Sequence, residues 1–221
     1  MTEDILEDAI LQRDKETYAI VPKTTVGLLT ADDLEKIATV TRKYNIPIIK
    51  ITSGQRFALV GVKKDDIESI WRDLDMAPGK AKGAKLCLHY VQACPGTETC
   101  RYGVQDSIGL GTEIEALFSE MKLPAKVKVG VSGCPLCCGE SFVRDIGVLG
   151  KNNGWSLIIG GSSARRPRIG DLIAEDLSKE KVFELIEHFL EFYSNNATKK
   201  ERTARFLDRL GVEQVKAAIL R

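Results

Sequence analysis

The sequence predicts an α+β protein of two units joined by a short linker. Two stretches with alternating strand-like and helix-like patterns flank residues 77–84, APGKAKGA, whose composition favours an exposed connection. The chain has 221 residues, enough for two small cores, and is 43% hydrophobic and 29% charged, as in ordinary soluble globular proteins. We expect an N-terminal arm or helix at 1–16, units at 17–76 and 85–194, and a C-terminal helix at 195–221.

The first unit is predicted to follow the order β-α-β-β-α. Strand-like runs are TTVGLL, IPIIKIT and FALVGV. Apolar residues at helical spacing from Leu34 to Tyr44 and from Ile67 to Leu74 predict the two helices. This order is that of a ferredoxin-like half-module, a term that here names only a fold.

The second unit is predicted to be an α/β module with a mixed sheet flanked by helices. Strands are expected at KLCLHYVQ, KVKVGVS, VRDIGVLG and WSLIIGG. A helix is expected near Leu110–Met121, with Thr112 and Glu115 as a capping box. Further helices are expected at 171–194 and 201–220.

Composition restricts the classes of function. No apolar run approaches the ~20 residues of a membrane span, and the N-terminus lacks the features of a signal peptide. We therefore expect a cytoplasmic protein with no membrane partner, in which six cysteines are ligands or free thiols rather than disulfides. The net charge of +1 gives no reason to expect a nucleic-acid partner.

Four cysteines form two close pairs, Cys94-x5-Cys100 and Cys134-x3-Cys138, in loops rich in Gly and Pro. Three interpretations compete. Structural zinc prefers shorter C-x2-4-C spacing than the first pair offers. Buried small hydrophobes fit poorly, because Cys94 and Cys134 each precede Pro in a polar turn. An iron–sulfur cluster suits loops whose backbone N–H groups point at sulfur. Spacing alone leaves Cys137 and Cys138 as equal candidates for the fourth ligand.

The segments ACPGTETCRYGVQDS and SGCPLCCGES resemble the cluster-binding signature of the siroheme-dependent sulfite and nitrite reductases. The resemblance is greatest to the small assimilatory-type sulfite reductases of anaerobes. It covers 17–76 as the ferredoxin-like half-domain and 85–194 as the siroheme and [4Fe-4S] domain. It implies that Cys94, Cys100, Cys134 and Cys138 bind a [4Fe-4S] cluster. It also implies that the Cys138 sulfur bridges to the siroheme iron.

Basic residues are expected around such a cofactor and substrate. Lys126 and Lys128 share one face of the strand that leads to Cys134 and, with Arg56, resemble the family's anion site. Siroheme carries carboxylates, for which planar guanidinium groups are suited. The candidate partners are Arg101, Arg144, Arg165, Arg166 and Arg168. Of the two histidines, His188 fits a structural role, and His89 precedes the Cys94 loop.

The resemblance implies six-electron reduction of sulfite to sulfide, with electrons entering the cluster from an external donor such as a ferredoxin or a reductase subunit. Nitrite reduction by the same cofactors is one alternative. A [4Fe-4S] electron-transfer protein without siroheme is another. A homodimer is possible.

Overall fold

A computed structural model describes residues 8–79 and 87–221, and the chain divides between residues 84 and 85 into two units. Residues 1–7 of the expected N-terminal arm and 80–84 of the expected linker lie outside the described residues. Within the arm, Ile10–Leu11 form a strand where a helix or loose segment was expected. In the described part of the chain, no helix is long and apolar enough to cross a membrane.

The first unit is a four-stranded antiparallel sheet with strand order β1-β2-β4-β3 and two helices. Its elements are β1 (Ile10–Leu11), β2 (Tyr18–Ile20), α1 (Ala31–Lys43), β3 (Ile48–Ile51), β4 (Phe57–Val62) and α2 (Ile67–Leu74). Ile20, Leu59, Ile70 and Leu74 have no exposed surface and form the centre of the core. The predicted β-α-β-β-α order is present, preceded by β1.

Helix α1 begins where its local sequence satisfies the first free backbone N–H groups. Thr30 accepts a hydrogen bond from the Asp33 backbone N–H, and the Asp33 carboxylate accepts one from the Thr30 backbone N–H. This capping box, together with burial of Ile37 and Val40, fixes the start and the inward face of the helix.

The prediction of a strand at TTVGLL is wrong. Thr25–Gly27 form a 3-10 turn in which Val26 and Gly27 have φ of 45° and 79°. A strand requires negative φ, so this segment leaves the sheet. The strand of this region is β2, which precedes it.

The second unit is a five-stranded mixed sheet with strand order β5-β6-β7-β8-β9. The pairs β5–β6 and β6–β7 are parallel, whereas β7–β8 and β8–β9 are antiparallel. Its elements are β5 (Leu88–Ala93), α3 (Ser107–Phe118), β6 (Val127–Ser132), β7 (Ile146–Lys151), β8 (Gly154–Ile159), β9 (Asp171–Leu177), α4 (Lys179–Asn196), α5 (Thr203–Leu210) and α6 (Val212–Ile219).

Two helix predictions in this unit need correction. Helix α3 begins at Ser107, capped by the Asp106 carboxylate, which accepts from the Gly109 N–H. Thr112 therefore lies inside the helix, and the predicted capping box there is wrong. The helix predicted from residue 171 begins only at Lys179, after the strand β9.

The single C-terminal helix expected at 195–221 is two short helices, α5 and α6. They are separated at Gly211, whose φ of 84° ends the first helix. Phe206, Leu207, Val215 and Ile219 are buried, so both helices have an apolar side within the core.

Candidate metal centre and anion site

The two cysteine loops leave the sheet at the same edge. Cys94 directly follows β5, and Cys134 lies two residues beyond the end of β6. Because β5 and β6 are parallel, the carboxyl ends of both strands meet at one edge. The Cys94 N–H donates to the Val131 carbonyl over 3.1 Å, which extends the pairing up to the first cysteine.

The backbones of the two loops touch at Gly133. The N–H groups of Val104 and Gln105 both donate to the Gly133 carbonyl, at 2.9 and 3.0 Å. A Cβ atom at Gly133 would lie 2.7 Å from the Gly96 Cα, closer than two carbon atoms normally approach. Glycine is therefore needed for this contact.

The Gly133 N–H also donates to the Cys94 sulfur, at 3.1 Å. Such a bond offsets negative charge on a cluster sulfur. The loop geometry and the thiol chemistry thus fit an iron–sulfur cluster.

The thiols themselves differ in exposure. Cys94 and Cys134 are buried, Cys100 and Cys137 are half-buried, and Cys138 is exposed. Cys137 has a left-handed backbone, with φ of 59°, and so does Glu140, with φ of 57°. Among residues 8–79 and 87–221, no three His, Cys, Asp or Glu side chains converge on a point that would hold a metal ion. The fold therefore brings together the two loops that carry the four cysteines.

A cationic surface lies at β6, the strand that leads to the Cys134 loop. Lys128 of β6 is half-buried, with its Nζ 5.5 Å from the centre of the Tyr90 ring, and the Arg144 guanidinium lies 5.8 Å from the same ring. Burial lowers the pKa of Lys128, and the charges of Arg202 and Arg144 lower it further. A lysine in this setting can bind an anion and also release a proton.

Lys126 lies two residues before Lys128, directly before β6, and is half-buried. Val127, Val129 and Val131 alternate with these positions and are completely buried. The predicted division into an apolar and a polar face therefore holds at the start of the strand, whereas Ser132 at its end is buried.

Sequence reasoning missed Asp145, a carboxylate with 1% exposure beside this surface. It accepts hydrogen bonds from the Lys128 backbone N–H at 2.9 Å, from Arg202 Nη2 at 2.5 Å and from Thr203 Oγ1 at 2.6 Å. The only signal in the sequence is a lone acidic residue directly before an apolar strand. Its partners at the start of α5 could not be inferred from local pattern.

Arg144 connects the Cys138 loop to the loop that follows β8. It is buried and donates to Gln92 Oε1 at 2.9 Å and to Ser163 Oγ at 3.1 Å, and it also pairs with Glu140. Its buried Nε has no hydrogen-bond partner among the described residues. A buried guanidinium with unused donor capacity is suited to an anionic ligand.

The three arginines of the loop after β8 have different environments. Arg168 pairs with Asp171 at 2.7 Å and with Asp208 at 2.8 Å. Arg165 and Arg166 are exposed and line a cleft of about 370 Å³ together with Arg202 and Arg205.

The remaining candidates each have a local contact of their own. Arg101 is exposed and stacks on the Tyr102 ring, 4.5 Å from its centre. Arg56 belongs to the first unit, where its backbone N–H donates to Thr52 Oγ1 at 3.2 Å. His188 Nδ1 lies 3.1 Å from the Ile219 carbonyl, which agrees with a structural role.

An α+β fold that brings two cysteine loops to one edge of a sheet, beside a strand carrying cations, defines an iron–sulfur oxidoreductase for small anions. The chain belongs to the nitrite and sulfite reductase family. The family model for the nitrite and sulphite reductase 4Fe-4S domain matches residues 84–221, and that for the nitrite/sulfite reductase ferredoxin-like half domain matches residues 10–77. The predicted family, fold class and enzyme class are thereby confirmed.

Two relatives differ in the share of their own length that this chain covers. The assimilatory-type sulfite reductase of Nitratidesulfovibrio vulgaris is 54% identical over 212 residues, which cover 96% of each chain. The nitrite reductase [NAD(P)H] of Bacillus subtilis is 42% identical over 211 residues, which cover 96% of this chain and 26% of the relative.

Solved structures support the fold. Dissimilatory sulfite reductase I matches with a TM-score of 0.81 at 14% identity, covering 92% of this chain and 69% of that one. The Mycobacterium tuberculosis NirA protein matches with a TM-score of 0.77 at 16% identity, covering 99% of this chain and 44% of that one.

Proposed function

We propose that the chain reduces sulfite to sulfide by six electrons, using a [4Fe-4S] cluster and siroheme. The observation that carries the proposal is the meeting of the Cys94 and Cys134 loops beside Lys128 and Arg144. The relative that matches over 96% of both chains is named an assimilatory-type sulfite reductase, which favours sulfite as the substrate.

In this proposal Cys94, Cys100, Cys134 and Cys138 would hold the cluster, and Cys138 would also hold siroheme. Arg101, Arg144, Arg165, Arg166 and Arg168 are proposed to hold siroheme. When bound, the two groups supply the electron transfer, and the protein supplies ligands, charge and protons.

The residues of this chain bind the anion and manage its protons. Lys126, Lys128 and Arg144 present positive charge, which favours a doubly charged oxyanion. Each oxygen that leaves sulfur departs as water, so protons must be delivered at the anion. The lowered pKa of Lys128 makes its ammonium group a proton donor suited to this task. Arg56 stays a prediction for the same role.

We further propose a cytoplasmic location, where free thiols persist for cluster assembly. The electron donor is proposed to be an external protein such as a ferredoxin or a reductase subunit. A homodimer also stays a prediction, which light scattering of the purified protein would test.

The absorption spectrum of anaerobically purified protein tests the proposal. We expect the bands of a reduced tetrapyrrole of the siroheme type, together with the broad absorption of an iron–sulfur cluster. Iron and acid-labile sulfide without tetrapyrrole bands, even after incubation with siroheme, would instead indicate an electron-transfer protein that carries only the cluster.

Nitrite is the second candidate substrate, because the Bacillus subtilis relative and a 37% identical relative from Escherichia coli are both named nitrite reductases. Comparison of kcat/KM for the two anions under one electron donor decides between them. A larger value for nitrite would replace sulfite in the proposal.

A further inference from the structure

We propose that Arg202 and Arg205, from the C-terminal segment, complete a cleft with Arg165 and Arg166 that binds peripheral carboxylates of the tetrapyrrole. This inference rests on the proposed siroheme function. It adds a wall to the cofactor site from helix α5, a region that the cysteine motifs do not reach.

The cleft has the charge of a polyanion site. Its volume is about 370 Å³, and the residues that line it are Ser162, Ala164, Arg165, Arg166, Arg202, Ala204 and Arg205. No acidic side chain is among them. Within the part of the chain that the structure describes, the guanidinium groups of Arg165, Arg166 and Arg205 form no ion pair or hydrogen bond. The three unpaired like charges around this cleft repel one another until an anion enters.

One wall of the cleft is held in place by Asp145. Its buried carboxylate accepts from Arg202 Nε at 3.2 Å and from Nη2 at 2.5 Å. These two bonds orient the guanidinium plane and leave its Nη1 group available for a second anion.

The opposite wall is a closed loop. The backbones of Ser162 and Arg168 exchange two hydrogen bonds of 2.9 Å, so residues 163–167 project as a short loop. Arg168 fixes the base of that loop through Asp171 and Asp208. The base of the loop that carries Arg165 and Arg166 is therefore fixed before any ligand arrives, which reduces the backbone entropy lost on binding.

Side-chain interactions connect the cleft to the proposed anion site. Arg202 lies close enough to Lys128 to contribute to the lowering of its pKa. Arg144 donates to Ser163 in the loop and also pairs with Glu140, two residues after Cys138. One chain of contacts thus runs from the cysteine loop, through Arg144, to the edge of the cleft.

Arginine binds both carboxylate and oxyanion groups, so siroheme and sulfite must be distinguished as possible occupants of the cleft. Sulfite is small and carries at most two charges, whereas four arginines around about 370 Å³ exceed what one such anion needs. Siroheme carries eight carboxylates on its rim. The number and spread of the cations favour the macrocycle as the occupant.

The test is a siroheme titration of apo-protein that retains its full chain, followed by absorption. Arg205→Glu is compared with Lys122→Glu, a matched charge reversal at an exposed residue of the same unit that does not line the cleft. We expect siroheme Kd to rise about 10-fold or more in Arg205→Glu and to remain unchanged in Lys122→Glu. A second reversal, Arg166→Glu, should add to the loss. Because Arg205 and Arg166 are exposed, iron content and melting temperature should stay at wild-type values in both.

Equal siroheme affinity in wild type, Arg205→Glu and Arg166→Glu would overturn the cleft proposal and leave the proposed function standing. A higher KM for sulfite with unchanged siroheme affinity would also overturn it, since the cleft would then be a substrate site. If wild-type protein takes up no siroheme, the proposed function fails, and the cleft proposal fails with it.

Discussion

Arg202 Nη2 lies 2.5 Å from Asp145 Oδ2, and the two residues are 57 positions apart in the chain. The bond joins the start of α5 to the residue before β7. Since Asp145 also accepts from the Lys128 backbone N–H, one carboxylate links the C-terminal segment to the proposed anion site.

We expect Asp145→Asn to lower the free energy of unfolding by roughly 3 kcal/mol, because it leaves Arg202 without its buried counter-charge. Urea unfolding of the purified protein measures the change. Asp208→Asn is the matched control: its carboxylate is 58% exposed and pairs with Arg168, so its loss should cost less than about 1 kcal/mol. Equal costs for the two variants would show that the Asp145 pair is no stronger than a surface one.

Replacement of Lys128 should change stability and activity in opposite directions. Burial and two nearby arginines oppose its charge, so we expect Lys128→Met to raise the melting temperature of the apo-protein. Loss of a proton donor should lower kcat for sulfite by about 100-fold.

The double variant Lys126→Ala with Lys128→Ala should likewise impair turnover while iron content stays near that of wild type. Unchanged turnover at limiting sulfite would remove both lysines from the anion site.

The two adjacent cysteines should respond differently to substitution. We expect Cys138→Ser to lower iron and acid-labile sulfide, because it removes a proposed ligand. Cys137→Ser should retain both. The left-handed φ of 59° at Cys137 is a conformation that glycine adopts without strain, so Cys137→Gly should unfold at the same or a higher urea concentration. Cluster loss in Cys137→Ser but not in Cys138→Ser would reverse the assignment.

Gly133→Ala should disrupt the contact between the loops. Its added Cβ would lie 2.7 Å from both the Gly96 Cα and the Gln105 carbonyl oxygen, so one loop must move. We expect lower cluster content and a lower melting temperature. Gly211→Ala provides a contrast, because nothing lies within 4 Å of a Cβ there and only its φ of 84° opposes the change. It should lose stability with normal cluster content.

Part of the pH dependence of stability can be assigned to the carboxylate of Glu201. Hydrogen bonds from Arg209 lower the pKa of Glu201 to about 2, below the roughly 4.3 of an unfolded chain. The folded state therefore binds fewer protons between these values, and its stabilisation is present above about pH 4.3 and lost as the pH falls towards 2. We expect Glu201→Gln to be less stable than wild type at pH 7, and the difference to vanish near pH 2 in urea unfolding. A constant difference across this range would contradict the assignment.

The local sequence pattern was sufficient to predict an element where one face of that element is buried. Val127, Val129 and Val131 of strand β6 are completely buried and Lys128 is half-buried, as the alternation predicts, although Gly130 and Ser132 are buried as well. In β9, by contrast, the buried residues Ile173 and Leu177 are four apart, a spacing typical of a helix. A left-handed residue, Asp176 with φ of 53°, and shifts in the pairing with β8 interrupt the alternation there. A strand with such irregularities cannot be recognised from period alone.

The candidate site likewise has one part that the sequence predicts and another part that it does not. The cysteine loops were recognisable because spacing and glycine content are local properties of the sequence. The environment of Asp145 was not, because its partners come from β6 and from α5 and only the folded chain brings them together. Likewise, nothing local separates Arg168, which two carboxylates engage, from Arg165 and Arg166 at the tip of the same loop.

The distance in sequence between Asp145 and Arg202 also imposes an order on biosynthesis. During translation Asp145 leaves the ribosome 57 residues ahead of the arginine that neutralises it. Strands β6 and β7 can pair earlier, but they do so around a carboxylate that still requires water. The Asp145 carboxylate can therefore gain its counter-charge only after Arg202 has been synthesised, so this part of the cationic surface is completed late in translation.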